Sequence, residues 1–335
     1  MKNEELRMKK LLKKTLKLIL PVVLGGFILF WVYRDFDFTK AGDVLLHGTN
    51  WWWMLFSLVF GVFAQVFRGW RWRQTLEPLD AFPKKSDCVN AIFISYAASL
   101  VVPRIGEVSR CGVLAKYDNV SFAKSLGTVV TERLVDTLTI LFITGITVLL
   151  QLPIFVTFLQ QTGTKIPSLV HLLTSVWFYI ILFCFIGVAI LLYYLRKTLF
   201  FYERVKGFVL NIWEGIMSLR GVRNIPLFIF YTLAIWTCYF LHFYFTFYCF
   251  AFTAHLGILE ALVMFVGGTF AVIVPTPNGA GPWHFAIISM MMLYGVNVTD
   301  AGIFALIVHG IQTFLVVLLG IYGFAALPFT NRHRG

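Results

Sequence analysis

The chain has 335 residues, 59% of them hydrophobic and only 13% charged, and its mean hydropathy is +0.80. A soluble domain carries about 25% charged residues, so roughly half the usual charge is missing and a water-soluble globule is excluded. The formal charge of +12 does not indicate a nucleic-acid binder, because the basic residues flank apolar runs and form no stripe on a soluble surface.

In chain order, a basic N-terminus (1–17, with Lys9, Lys10, Lys13, Lys14 and Lys17) leads into an apolar run from Leu18 to Val32. This imitates a signal peptide, but WVYRDFDF stands where a small-residue cleavage site would be, so an uncleaved first span is expected. Six segments are apolar over the ~20 residues that a bilayer requires: 16–33, 50–67, 125–150, 168–195, 225–250 and 299–327. Trp51, Trp52 and Trp53 read as an interfacial aromatic belt. The alternation in 200–222 reads as an amphipathic helix on the cytoplasmic surface. Met290, Met291 and Met292 read as lipid-facing or gap-filling. The five cysteines, Cys88, Cys111, Cys184, Cys238 and Cys249, have no metal-ligand spacing, so neither a disulfide framework nor a metal or cofactor is expected.

Two further stretches, 86–115 and 258–296, are apolar but interrupted, by VVPRIGE (101–107) and IVPTPNGAGP (273–282). Pro103, Pro275 and Pro277, with Gly106, Gly279 and Gly281 and the turn-forming Asn278, break helical hydrogen bonding. In hydrocarbon such backbone survives only inside protein or beside a watery cavity, so both stretches read as re-entrant hairpins. With the N-terminus inside, this layout puts 22 of the 28 Lys+Arg on the cytoplasmic side, Arg68, Arg71 and Arg73 among them, and only Arg34, Lys40 and Lys165 outside. Both termini are then cytoplasmic.

The two interrupted stretches resemble each other. Val102-Pro103 aligns with Val274-Pro275, and after a six-residue shift Asn119-Val120 aligns with Asn297-Val298. The fold expected is therefore all-α: one integral membrane domain over 1–335, with six full spans and two broken hairpins. Its inverted repeats cover about 50–150 and 225–327. Inverted repeats whose broken helices meet near the midplane are a transporter architecture.

VPRIGEVSRCG spaces Arg104, Glu107 and Arg110 by three, on one helical face, where two guanidinium groups would flank one carboxylate. Burial demands such pairing, and the residual positive charge suits a phosphate headgroup. The competing reading is an internal salt bridge that holds the hairpin shut. In TVVTERLVDTLTI, Glu132 and Asp136 lie four apart with Arg133 beside them, either lining the same cavity or forming a solvated helix start. In the late break only His284 titrates. The half-helix after it presents an N-terminus that attracts anions, and His284 and His309 are candidates for a coupling role or for hydrogen-bonded packing.

PRIGEVSR, then TERLVD about twenty residues on, then PTPNGAG, resembles the lysylphosphatidylglycerol synthase/flippase transmembrane family over about 20–327. The resemblance implies lipid handling, with Arg104, Glu107, Arg110, Glu132, Arg133 and Asp136 along the headgroup path. Many relatives carry a glutamate where this chain has Trp283-His284, and often an arginine near the position of His309. The chain ends at Gly335 without an aminoacyl-transferase domain, so it is not expected to make lysylphosphatidylglycerol by itself.

The function expected is a flippase of the bacterial inner membrane for a phospholipid, aminoacyl-phospholipid or lipid-linked glycan. Its partners would be membrane lipids and a separate lipid-modifying enzyme, with no nucleic acid. The alternatives are an enzyme acting on polyprenyl or phospholipid substrates, with Asp35, Asp37 and Asp43 as its acids, and a non-transporting partner of a lipid-modifying enzyme.

Overall fold

In a computed structural model of the chain, residues 19–103, 105–152 and 221–331 are described. The expected span 168–195, nearly all of the amphipathic stretch 200–222, and Arg104 lie outside them. The described residues are helical, with no strand.

Helix α1 (Ile19–Tyr33) bends by 97° into a short second helix. That helix, α2 (Phe38–Asp43), begins where the Asp37 carboxylate accepts the N–H groups of Thr39 and Lys40, and it runs on as a π turn to Gly48. The side chain of Asn50 caps α3 (Trp51–Leu76). Then come α4 (Lys85–Val101), α5 (Ile105–Tyr117) and α6 (Phe122–Leu150). After the undescribed segment, Asn224 caps α7 (Ile225–Tyr244), which Pro226 opens, where a missing N–H costs nothing. It is followed by α8 (Ile258–Ala271), a 3-10 turn at Pro277–Gly279, α9 (Pro282–Leu293) and α10 (Val298–Thr330).

Among the described residues, four helices (α3, α6, α7 and α10) are long and apolar enough to cross a membrane, or five spans if the bent α1–α2 pair counts as one. Only 17% of the most apolar stretch of α6 is buried inside the protein. Phe142, Leu149 and Phe324 point outward, an arrangement that hydrocarbon tolerates and water does not. Trp52 is 85% exposed and Trp51 and Trp53 are partly so, as an interfacial belt requires. The methionines divide: Met291 is buried, Met292 faces outward, and Met290 lies over Gly267.

α3 packs along α7, and α4 packs against α3, α5 and α10. α8 packs against α6, α7 and α9, and α9 against α10. Gly320 lets α10 approach Ala97 of α4 more closely than a side chain would allow. An aromatic core of Phe243, Phe247, Phe250, Trp283 and Phe304 joins α7, α9 and α10.

Both interruptions fall where proline places them. The first is short: Val102 is extended (φ −131°, ψ 115°), as the residue before a proline prefers, and α5 resumes at Ile105. The second runs from 272 to 281 and holds three left-handed residues, Asn278 (φ 52°), Gly279 (φ 73°) and Gly281 (φ 93°). At Gly281 a Cβ would also lie 2.9 Å from the Gly25 carbonyl of α1. Here glycine serves both the turn and the close approach of α1.

Candidate functional site

The charged residues are assembled by three helices. α3 runs on past the apolar segment expected to end at 67, carrying Arg68 and Arg71 three apart on one face. α6 presents Glu132 and Asp136 four apart, and α5 adds Arg110. All five are buried, Arg71 completely.

Asp136 accepts from Arg68 Nη2 through one oxygen and from Arg71 Nη2 at 2.6 Å through the other. Glu132 accepts from Arg110 Nη1 at 2.6 Å, and its second oxygen stands 3.6 Å from Arg71 Nη2, an ion pair too long for a hydrogen bond. The Arg110 guanidinium also lies 4.6 Å from the Trp72 ring centroid, and Trp72 donates to Thr128 Oγ1 at 3.0 Å. Three guanidinium groups against two carboxylates leave one net positive charge.

Arg104 lies outside the described residues. Glu107 and Arg110 do not pair with each other: Glu107 accepts from Arg133 at 2.7 Å in a partly exposed pair, and Arg110 turns inward to Glu132. Spacing had put Glu107 and Arg110 on one face, but the partner of each is supplied by α6. Gly106 is buried where α5 meets α4, with the Ser95 carbonyl only 2.0 Å from where a Cβ would sit.

The charge cluster reaches a half-open cavity through two tyrosines. Arg68 Nη1 donates to Tyr96 Oη of α4 (2.8 Å) and to Tyr239 Oη of α7 (3.1 Å), and the two hydroxyls lie 3.0 Å apart. Two hydroxyl hydrogens are available and the pair uses one, so one donor is left over, polarised by the guanidinium behind it. Tyr96 and Tyr239 form one wall of a cavity of about 190 Å³. Gln65 and His242 line it from α3 and α7, Asn278 from the late break, Trp283 from α9, and His309, Gln312 and Leu319 from α10.

Hydrogen bonds fix the histidine tautomers. His242 Nδ1 must donate to the Ser57 carbonyl (2.8 Å) and His309 Nε2 to the Asn278 carbonyl (3.1 Å). Each neutral ring therefore keeps one nitrogen as an acceptor. His284 sits behind this wall. Its Nδ1 accepts from the Gly281 N–H at 3.4 Å, occupying the start of α9, and its ring lies 4.5 Å from that of His309 between centroids. The Asn278 amide donates to Thr313 at 2.7 Å. Gln65 Oε1 and Gln312 Nε2 are buried without a hydrogen-bond partner, and both side chains line this cavity.

Of the residues singled out by sequence, Asn278 and His309 line the cavity. Arg110, Glu132 and Asp136 form the cluster beside it, and Glu107 and Arg133 pair at the periphery. Pro103, Pro275, Pro277, Gly279 and Gly281 shape the two breaks. Sequence reasoning passed over Arg68, Arg71, Gln65, Tyr96, Tyr239, His242 and Gln312. A signal existed: Gln65, Arg68 and Trp72 recur at helical spacing within α3, and an ionisable or amide residue inside a span is a functional candidate by default.

Fold and site together define a multi-pass helical membrane protein with a cavity lined by polar and apolar side chains and backed by a buried arginine–carboxylate cluster. The lysylphosphatidylglycerol synthase TM region family matches residues 18–320, and the chain belongs to that family. No curated protein and no solved structure matches it.

Proposed function

We propose that the chain is a lipid translocase of a bacterial inner membrane, which passes a phosphate-bearing headgroup through the cavity while the acyl chains stay in the bilayer. One observation carries this reading: Tyr96 from the first broken pair and Asn278 from the second break line the same cavity. An apolar groove between α3, α4 and α10, lined by Val66, Val89, Phe93 and Tyr322, adjoins it at Leu319 and suits an acyl chain.

The contacts support two inverted halves, α3–α6 and α7–α10, with α4–α5 and α8–α9 as re-entrant hairpins. Exchanging the halves turns the packing of α4 on α10 into that of α8 on α6, and both contacts occur. Rocking of one half against the other would then open the cavity to alternate sides. Removing the buried Arg68 and Arg71 from the cytoplasmic count leaves twenty Lys+Arg against three, so cytoplasmic termini remain the favoured orientation. In this reading the chain is a transporter and not an enzyme, and a separate enzyme supplies any modified lipid. Two of the three acids of the enzymatic alternative are engaged locally: Asp37 caps α2 and Asp35 pairs with Arg34.

The test is flipping of acyl-labelled phospholipids in proteoliposomes, with a Tyr96→Phe, Tyr239→Phe double variant alongside. Protein-dependent flipping that is lost in the variant is expected. Flipping at the native rate by the variant would remove the cavity from the mechanism.

A further inference from the structure

Resting on the translocase reading, we infer that the headgroup is a compact hydroxylated phosphate of the phosphoglycerol kind, and not the aminoacylated headgroup for which the family is named. Three independent features of the cavity carry this.

The first is charge. No residue described along the cavity wall is Asp or Glu, and both nearby carboxylates, Glu132 and Asp136, are already bound to arginines. A lysyl headgroup brings two ammonium groups and would meet a net positive cluster with no free carboxylate. An unpaired ammonium in such a site costs several kcal/mol. A phosphodiester carries one negative charge and complements the one positive charge left over.

The second is hydrogen bonding. The spare tyrosine hydroxyl and the unpartnered Gln312 Nε2 are donors suited to phosphate oxygens. The unpartnered Gln65 Oε1 and the free ring nitrogens of His242 and His309 are acceptors, and they suit the hydroxyls of a polyol. Gln65 is 6% exposed, so leaving its oxygen unbonded is costly unless a ligand or water meets it.

The third is size. About 190 Å³ falls below the roughly 300–1,000 Å³ of sites for larger ligands. An aminoacyl extension about doubles a phosphoglycerol headgroup, and a glycan exceeds it further.

The experiment compares acyl-labelled phosphatidylglycerol, phosphatidylethanolamine and lysylphosphatidylglycerol in the same proteoliposomes, with uptake of free glycerol 3-phosphate as a fourth arm. Phosphatidylglycerol should flip at least ~10-fold faster than the lysyl lipid, a ratio equivalent to about 1.4 kcal/mol. Gln65→Glu, and separately Gln312→Glu, should shift the ratio toward the lysyl lipid by supplying the missing carboxylate. Lysylphosphatidylglycerol flipping as fast as phosphatidylglycerol would overturn the headgroup assignment and leave the translocase standing. Uptake of glycerol 3-phosphate without lipid flipping would overturn the lipid and keep the phosphate chemistry. A folded protein that moves none of the four would overturn the translocase reading itself.

Discussion

Asp136→Asn isolates the contribution of the buried cluster. The substitution keeps size and shape but removes the carboxylate that holds Arg68 and Arg71 together. The cluster then has three guanidinium groups against Glu132 alone, and its net charge rises from one to two. Removing one partner from a buried ion pair destabilises by about 3–5 kcal/mol. At roughly 2 °C per kcal/mol for a large domain, the melting temperature in detergent should fall by roughly 6–10 °C. A second substitution separates charge from shape. Arg71 is completely buried, hydrogen-bonds to Asp136 and Thr232 and ion-pairs with Glu132, so Arg71→Met with Asp136→Asn returns the net charge to one. The double variant should melt above Asp136→Asn alone, with a coupling of about 0.5–3 kcal/mol. The reasoning is refuted if Asp136→Asn melts within about 1 °C of the native protein, or if adding Arg71→Met lowers the melting temperature further.

Two further outcomes are expected. Gly106→Ala would put a Cβ 2.0 Å from the Ser95 carbonyl and 2.3 Å from Ser99 Oγ, forcing α5 off α4. A loss of about 1–3 kcal/mol or more should appear in thermal melts, whereas Gly112→Ala on the same helix meets open space and should stabilise by up to ~1 kcal/mol. At the α1–α2 bend, the Asp37 carboxyl is held below the usual carboxylate range, first by the Lys40 backbone N–H and then by Thr39. A lowered folded value makes the cap fully effective above the unfolded value of about 3.9 and removes it as pH falls through the folded value. An NMR titration of the Thr39 and Lys40 amides should therefore have its midpoint below that of an unstructured aspartate, and a midpoint at or above it would show that the cap does not form.

What was legible in the sequence divides along a physical line. The two interruptions were readable because their causes are local: Pro103 forces Val102 to extend, and Gly279 and Gly281 permit left-handed turns. Pairing was not readable, because a spacing of three or four names a shared face and not the helix opposite it. Glu107 and Arg110 share a face, yet Arg133 and Glu132 of α6 take them separately. Arg68 and Arg71 were missed for a sharper reason. The bias of basic residues toward the cytoplasm scores position relative to an apolar run, and these two arginines stand where the run stops being apolar. The helix does not stop there: it continues to Leu76 with Gln65, Trp72, Gln74 and Thr75 buried beside the arginines. Solvated basic residues at a span's end are not bracketed on both sides by polar residues at helical spacing, whereas a buried cluster must be, since each charge removed from water needs partners within reach. Tyr96, Tyr239 and Thr232 meet that need for Arg68 and Arg71. The bracketing polar residues, more than the arginines themselves, separate a charge that orients the protein in the membrane from one that builds its interior.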